Sequence, residues 1–259
     1  MFPRYIPLLL ALATLCSGAP QDAPALTDEG LRLAAGGRHE EAAKLWEQAV
    51  ALAPDYFPAL FNLGYFRVQE QKFEQAEPLL AHAAAAAPKD FNSRYLLGLA
   101  RTRVGRSDDG LRAWREALAL QPDNLRLMQV MSVEYAKGRY FAEAAALANR
   151  ALELKSEDPD LYFLAIKSYQ DAGDDAAAAR IAHRAVERFP DSARANFEHG
   201  YHLQKAGKMQ EAAVYLQRAM KADPAYEEPF FFYGNMLADE DRYEEAVPYL
   251  QKAILDRND

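Results

Sequence analysis

Histidine has the widest chemical range of any side chain in this sequence, because it can ligate a metal or exchange a proton near neutral pH. Only His199 and His202 lie close together, and a spacing of three residues would place both on one helical face. Two histidines at that spacing do not form a zinc site without a third ligand of suitable type. The remaining histidines are scattered, at His39, His82 and His183. The sequence therefore predicts no metal site.

Patterns typical of other catalytic centres are not found. The sequence contains no G-x-S-x-G, Walker loop, dinucleotide fingerprint or HExxH, and no serine, threonine or cysteine in a context that suggests an activated nucleophile. Acidic pairs could act as acid–base carboxylates, but here they begin predicted helices, where negative charge favours the helix dipole. These pairs are Glu40 and Glu41, Asp108 and Asp109, and Glu244 and Glu245. We therefore expect no enzyme and no cofactor.

The elements that must position these residues repeat every 34 residues from Ala23 onward, without a net insertion or deletion. One alanine recurs at this interval, and seven residues before it stands another alanine or, once, a glycine. The recurring alanines are Ala49, Ala83, Ala117, Ala151, Ala185, Ala219 and Ala253, and five of the repeats place a proline five residues later. A fixed period of this length with helix-pair patterning predicts stacked helical hairpins.

Each repeat has the pattern of two amphipathic helices. In the second repeat, Leu60, Leu63 and Gly64 share one face of the first helix, and a polar turn over residues 69–72 separates it from the second helix. Glycine in that turn suits the left-handed conformation that commonly follows a helix. The turn glycines of the other repeats are Gly37, Gly105, Gly138, Gly173 and Gly207.

Glycine also recurs at the eighth position of the repeat, in the middle of the first helix. Inside a helix, glycine costs about 1 kcal/mol relative to alanine. Its repeated use therefore indicates a steric need, which we interpret as close contact with the paired second helix. The glycines at this position are Gly30, Gly64, Gly98, Gly200 and Gly234.

These features resemble the tetratricopeptide repeat (TPR), and the resemblance covers Ala23 to Asp259, about nine-tenths of the chain. The stretches FNLGYFRVQEQKFEQAEPLLAHAAAAAP (Phe61 to Pro88) and FEHGYHLQKAGKMQEAAVYLQRAMKADP (Phe197 to Pro224) look like ordinary members of that family. The resemblance implies an all-α fold, a right-handed superhelical α-solenoid of seven helix-turn-helix repeats. The repeats span 23–56, 57–90, 91–124, 125–158, 159–192, 193–226 and 227–259.

The middle repeats depart from the pattern. The fourth repeat has Ser132 at the eighth position, Gly138 one residue early in its turn, and Ser156 in place of the closing proline. The fifth repeat has Ile166 at the eighth position. These departures predict irregular stacking near Glu157 to Leu161.

The resemblance further implies that the first helix of each repeat lines a concave groove, with the fifth and ninth positions facing into it. Five of the seven fifth positions are aromatic, which suits an anchor surface for a peptide or helix. The alternative is that the rings pack between repeats. A clamp for a C-terminal carboxylate is disfavoured, because Lys167 and Asn235 stand two repeats apart. The candidate groove residues are Phe61, Tyr65, Tyr95, Leu99, Phe163, Lys167, Phe197, Tyr201, Phe231 and Asn235, and Thr27, Leu31, Gln129 and Val133 complete the track.

Residues 1–18 lie outside the repeats and have the layout of a secretory signal peptide: a basic start, an apolar run over residues 5–16, and small residues after it. The run is shorter than the ~20 residues of a membrane-spanning helix. We expect cleavage after Gly18, a short linker over 19–22, and export to a bacterial periplasm. Lipidation of Cys16 is the alternative, which Leu15 immediately before it disfavours.

The formal net charge of −8 disfavours binding to a nucleic-acid backbone. No run of lysine and arginine suggests a nucleic-acid or anionic-membrane surface. Val247, Leu250, Ile254 and Leu255 of the last predicted helix would have no following repeat to cover them, whereas terminal repeats usually carry a polar outer face. We therefore expect this end to pair with another copy, as a homodimer, or with a partner.

Two functions are compatible with these features. The first is a non-enzymatic scaffold or adaptor of the cell envelope, which binds a protein segment in its aromatic groove. The second is an exported helper for polysaccharide handling or envelope-complex assembly, because aromatic rings can stack on sugars. Sugar sites also need many polar groups, and the predicted track supplies few. The partner stays open, because a fold does not specify its ligand.

Overall fold

The computed structural model describes residues 22–155 and 157–255 of the chain. Within these ranges every regular element is an α-helix, which confirms the predicted all-α repeat fold. The first helices of the repeats are α1 (Ala23–Ala35), α3 (Phe57–Gln69), α5 (Phe91–Arg103), α7 (Leu125–Lys137), α9 (Pro159–Asp171), α11 (Ala193–Lys205) and α13 (Glu227–Asp239). The second helices are α2 (His39–Leu52), α4 (Phe73–Ala86), α6 (Ser107–Leu120), α8 (Phe141–Leu154), α10 (Asp175–Arg188), α12 (Met209–Ala222) and α14 (Tyr243–Leu255). The predicted signal peptide lies outside the described residues.

The chain divides into two compact units, Met1–Leu120 and Gln121–Asp259. In the N-terminal unit (α1–α6), each helix packs against its hairpin partner, α2 packs against α3, α4 packs against α5, and α3 contacts both α1 and α5. In the C-terminal unit (α7–α14), each hairpin pairs in the same way, and α8, α10 and α12 pack against α9, α11 and α13. First helices are neighbours as well: α7 contacts α9, α11 contacts α13, and side chains of α9 and α11 meet. Side chains at one repeat position can therefore form a row within a unit.

The glycines at the eighth repeat position lie against the second helix of their own hairpin. A Cβ on Gly98 would lie 2.2 Å from Trp114 Cδ1, and a Cβ on Gly30 would lie 2.5 Å from Trp46 Nε1. A Cβ on Gly64, Gly200 or Gly234 would lie 2.9, 3.2 or 2.8 Å from the leucine at the equivalent position, which is Leu80, Leu216 and Leu250 respectively. The predicted close contact is therefore confirmed.

The departures in the fourth and fifth repeats compensate for one another across the hairpin. Where the eighth position holds Ser132 or Ile166, the facing second helix carries alanine instead of tryptophan or leucine, at Ala148 and Ala182. All four residues are fully buried, and the Ser132 hydroxyl donates to the Ala144 carbonyl at 2.8 Å. In these two repeats the larger side chain at the eighth position is matched by a smaller one on the facing helix, so the two helices can still pack together.

The irregular stacking predicted near Glu157 to Leu161 stays a prediction, because Ser156 lies outside the described residues. Helix α8 packs directly against α9, within the C-terminal unit. The division between the two units falls earlier, after Leu120.

The turn inside each hairpin requires one residue with positive φ. Gly37, Gly105, Gly173 and Gly207 supply it with φ of 76° to 83°. In the fourth repeat the predicted turn glycine, Gly138, has φ −75°, and the following Arg139 takes the left-handed conformation at φ 63°. The role expected for Gly138 is therefore wrong, because the hairpin geometry requires positive φ one residue later.

Candidate functional site

The two neighbouring histidines are packing residues. His199 is 9% exposed, and its ring lies 5.0 Å from the ring of His183 and 4.5 Å from that of Tyr215, centroid to centroid. Burial, with the nearby His183 and His202, lowers the pKa of His199 to about 4. His202 is buried as well and lies 3.1 Å from the side-chain amide of Gln170, Nε2 to Nε2. Within the described ranges, no group of three or more possible metal ligands occurs.

In the N-terminal unit, the candidate groove residues form ladders along the first helices. The ring of Phe61 stacks on that of Tyr65 at a centroid distance of 6.4 Å, and Phe57 lies 5.7 Å to its other side. On α5, Phe91 stacks on Tyr95 at 5.9 Å. Phe61 and Tyr95 are half-buried because they pack against the core between the helices. In this unit, the rings at the fifth position therefore serve mainly to pack against the core.

The ninth position of the N-terminal unit is the more open one. Leu31 and Tyr65 are each 46% exposed, and Leu99 is half-buried. These three residues come from α1, α3 and α5, at the same position of successive repeats. We refer to Leu31, Tyr65 and Leu99 as the apolar row.

In the C-terminal unit, two of the rings at the fifth position are covered by the next repeat. Phe163 is 7% exposed and lies under the Arg194 guanidinium, 4.2 Å from its ring centroid. Phe197 is 9% exposed and contacts the rings of Tyr226 and Phe232, at 5.3 and 5.5 Å. These two candidate groove residues therefore contribute packing between repeats.

The remaining candidates of this unit lie nearer the surface. Phe231 is exposed, and its ring lies 5.6 Å from that of Phe232, centroid to centroid. The ring of Tyr201 lies 5.3 Å from that of Phe232. Asn235 is half-buried. Lys167 is exposed, and its ammonium group lies 2.6 Å from the carboxylate of Asp171. The accessible face of this unit thus combines aromatic rings with charge.

Three residues of that face were not predicted from the sequence: Arg194 at position two of its repeat, and Glu198 and Phe232 at position six. Glu198 has a side chain that is 14% exposed. Burial raises its pKa, although Arg194, Gln170 and Lys167 act in the opposite direction. Glu198 could have been noticed in the sequence, because it places a glutamate at the sixth repeat position, where four other repeats have leucine, valine or phenylalanine.

Helix α14 exposes part of its apolar surface. Val247 and Tyr243 are exposed. Leu250 is turned towards α13, where it occupies the space beside Gly234. The side chains of Ile254 and Leu255 lie outside the described residues. Across the described helices, none combines the length and the apolar character needed to cross a membrane.

Family models of known proteins match two parts of the chain. A family model described as tetratricopeptide repeat matches residues 33–101, and a second model with the same description matches residues 163–227 and 198–259. The chain therefore belongs to the tetratricopeptide repeat family. A search of curated proteins found no match.

Several solved structures are similar to this chain. MamA AMB-1 is 30% identical, with a TM-score of 0.50 and coverage of 52% of this chain and 74% of that one. YrrB, described as a TPR protein with an unusual peptide-binding site, is 22% identical, with a TM-score of 0.55 and coverage of 70% and 93%. MamA from Desulfovibrio magneticus RS-1 is 15% identical, with a TM-score of 0.56 and coverage of 65% and 95%.

Proposed function

We propose that this chain is a non-enzymatic protein–protein interaction scaffold, which binds a peptide or helix of a partner on the first-helix face of its repeats. The observation that carries the proposal is the apolar row. Single exposed apolar residues are ordinary on a protein surface, but Leu31, Tyr65 and Leu99 occupy one repeat position on neighbouring helices. Apolar side chains that recur in this way across neighbouring helices are candidates for a binding surface.

The side chains of this surface suit anchoring. Tyrosine offers a large contact area at a small entropic cost, and aromatic residues are frequent among those that dominate binding energy. Tyr65 is held in place from below by Phe61, which itself packs into the core. A pre-ordered ring loses little conformational freedom when a partner binds. The fold similarity to YrrB, a peptide-binding TPR protein, supports the proposal further.

Selection from a random peptide library displayed on phage tests this proposal. The bait proteins are the wild-type chain, a Leu31→Ser, Tyr65→Ser variant, and a Leu52→Ser, Val214→Ser control whose exposed apolar residues lie on second helices. We expect a class of peptides that is enriched by the wild type and the control but not by the row variant. Equal enrichment by all three, with circular dichroism showing folded proteins, would place binding elsewhere.

We also propose that the chain is exported to the cell envelope. The support is the layout of residues 1–18, with a basic start followed by an apolar run and small residues. N-terminal sequencing of the protein from its source cells tests this, and cleavage after Gly18 gives Ala19 as the first residue. A lipidated Cys16 at the N-terminus would instead establish a lipoprotein, and an intact Met1 would contradict export.

Self-association through α14 is a further part of the proposal. Its support is the exposure of Tyr243 and Val247 on one helix, four residues apart and therefore on one face. Sedimentation at high micromolar concentration should show a dimer that a Val247→Lys variant loses. A wild-type monomer under those conditions would contradict this part.

A further inference from the structure

The C-terminal unit holds a carboxylate within its aromatic face, at Glu198 on α11. The charged and polar groups around it come from first helices: Gln170 and Lys167 on α9, Arg194 on α11 and Glu228 on α13. Its side chain is 14% exposed, so it is largely withdrawn from water but still reachable from the face. A carboxylate in this setting needs a strong partner, because burial of an unpaired charge is costly.

The two nearby cations fill that role only in part. Arg194 forms an ion pair with Glu198, but its closest approach is 3.9 Å, Nε to Oε1, which is too long for a hydrogen bond. Its guanidinium lies instead over the ring of Phe163. Lys167 is engaged with Asp171 at 2.6 Å. The ionised carboxylate therefore keeps acceptor capacity for a charged donor from outside.

The other neighbour on α9, Gln170, is neutral. It lowers the pKa of Glu198 and so favours the ionised form, against the larger effect of burial. Its side-chain amide nitrogen lies 3.1 Å from His202 Nε2. Gln170 therefore does not neutralise the charge of Glu198, and the largely buried carboxylate is a negatively charged acceptor with limited freedom to lose when a donor arrives.

The charges around Glu198 are mixed. Glu228 adds a second negative charge, and Arg194 and Lys167 are the positive ones. Tyr201 lies three residues after Glu198 on the same helix, and its ring is 5.3 Å from that of Phe232. The faces of such rings attract ammonium and guanidinium groups.

We propose that Glu198 accepts a lysine or arginine side chain of the bound segment, so that the C-terminal unit selects partners with a basic anchor residue. The inference rests on the proposed binding of a peptide or helix to the first-helix face. It specifies the chemistry of that partner, which is a segment whose basic side chain enters between Glu198 and the rings of Tyr201 and Phe232.

The test is a peptide selection followed by binding measurements. A phage-displayed library with one fixed central residue (lysine, arginine, methionine or glutamate) and random flanks is selected on the wild type, Glu198→Gln and Glu153→Gln. The Glu198→Gln change removes the charge and keeps the shape. Glu153 is a matched control, because it is exposed on second helix α8. Selected peptides are then synthesised with the basic residue or with norleucine, and their affinities are compared.

We expect the wild type and Glu153→Gln to enrich the lysine and arginine libraries, and Glu198→Gln to lose that preference. Glu198→Gln should weaken binding of the basic peptide roughly tenfold or more, with little effect on the norleucine peptide. If wild type and Glu198→Gln enrich the same libraries, the inference is overturned while peptide binding stands. If the wild type enriches no peptide at all, both the inference and the peptide-binding proposal fail.

Discussion

Replacement of Gly98 by alanine is the substitution whose effect can be worked out most directly from the structure. The added Cβ would lie 2.2 Å from Cδ1 and 2.3 Å from Nε1 of Trp114. The indole cannot move aside freely, because the side chain is buried and its Nε1 donates to the Tyr95 carbonyl at 2.8 Å. The two helices α5 and α6 must therefore separate, or the indole must give up its hydrogen bond.

The magnitude follows from three contributions. Overpacking of a dense interior costs roughly 1–3 kcal/mol, and the strained or lost hydrogen bond adds about 1 kcal/mol. Alanine returns about 1 kcal/mol through its better helix propensity. The free energy of unfolding of Gly98→Ala should therefore be lower than that of the wild type by roughly 1–3 kcal/mol, measured by urea denaturation with circular dichroism.

A double-mutant cycle separates the steric effect from others. In the fourth and fifth repeats, a larger eighth residue faces Ala148 or Ala182. In a Trp114→Ala background the collision is removed, so Gly98→Ala should stabilise by about 1 kcal/mol through helix propensity alone. The same change of stability in both backgrounds would refute the steric explanation.

Two further predictions concern stability. Arg139→Gly should stabilise the fold by roughly 0.5–1 kcal/mol, because glycine relieves the left-handed strain at φ 63°; Gly173→Ala, at φ 77°, should do the opposite in the same urea experiment, and equal effects would contradict the reasoning. Since burial lowers the pKa of His199 to about 4 from an ordinary 6.5, the unfolded chain binds the extra proton, and stability is lost as the pH falls from about 6.5 towards 4. That loss amounts to about 3 kcal/mol and should be absent from His199→Leu, which has the residue found at Leu63 and Leu97; parallel pH profiles of the two proteins would contradict it. His183 and His202 face the same ring and are unchanged in both proteins.

The burial of His199 was predictable because its repeat position holds Leu63 and Leu97 in other copies, and leucine at a position indicates the core. The roles of Phe163 and Phe197 were not. The same position holds Phe231, which is exposed, so residue type and spacing do not distinguish a covered ring from an open one. The difference arises because a following first helix covers Phe163 and Phe197.

The sequence alone predicted repeated pairs of helices, since a period of 34 residues with two amphipathic segments in each repeat is typical of stacked helical hairpins. It also indicated the first-helix face, on which we propose that a partner binds. The tertiary structure decided which side chains on that face remain accessible, and it placed Glu198 among Gln170, Arg194 and Glu228. Helix periodicity is a local property and can be recognised within a single repeat. Arg194 is four residues from Glu198, but Gln170 and Glu228 belong to the preceding and following repeats. Such neighbours meet only when the repeats stack, so they could not be found from the pattern of one repeat.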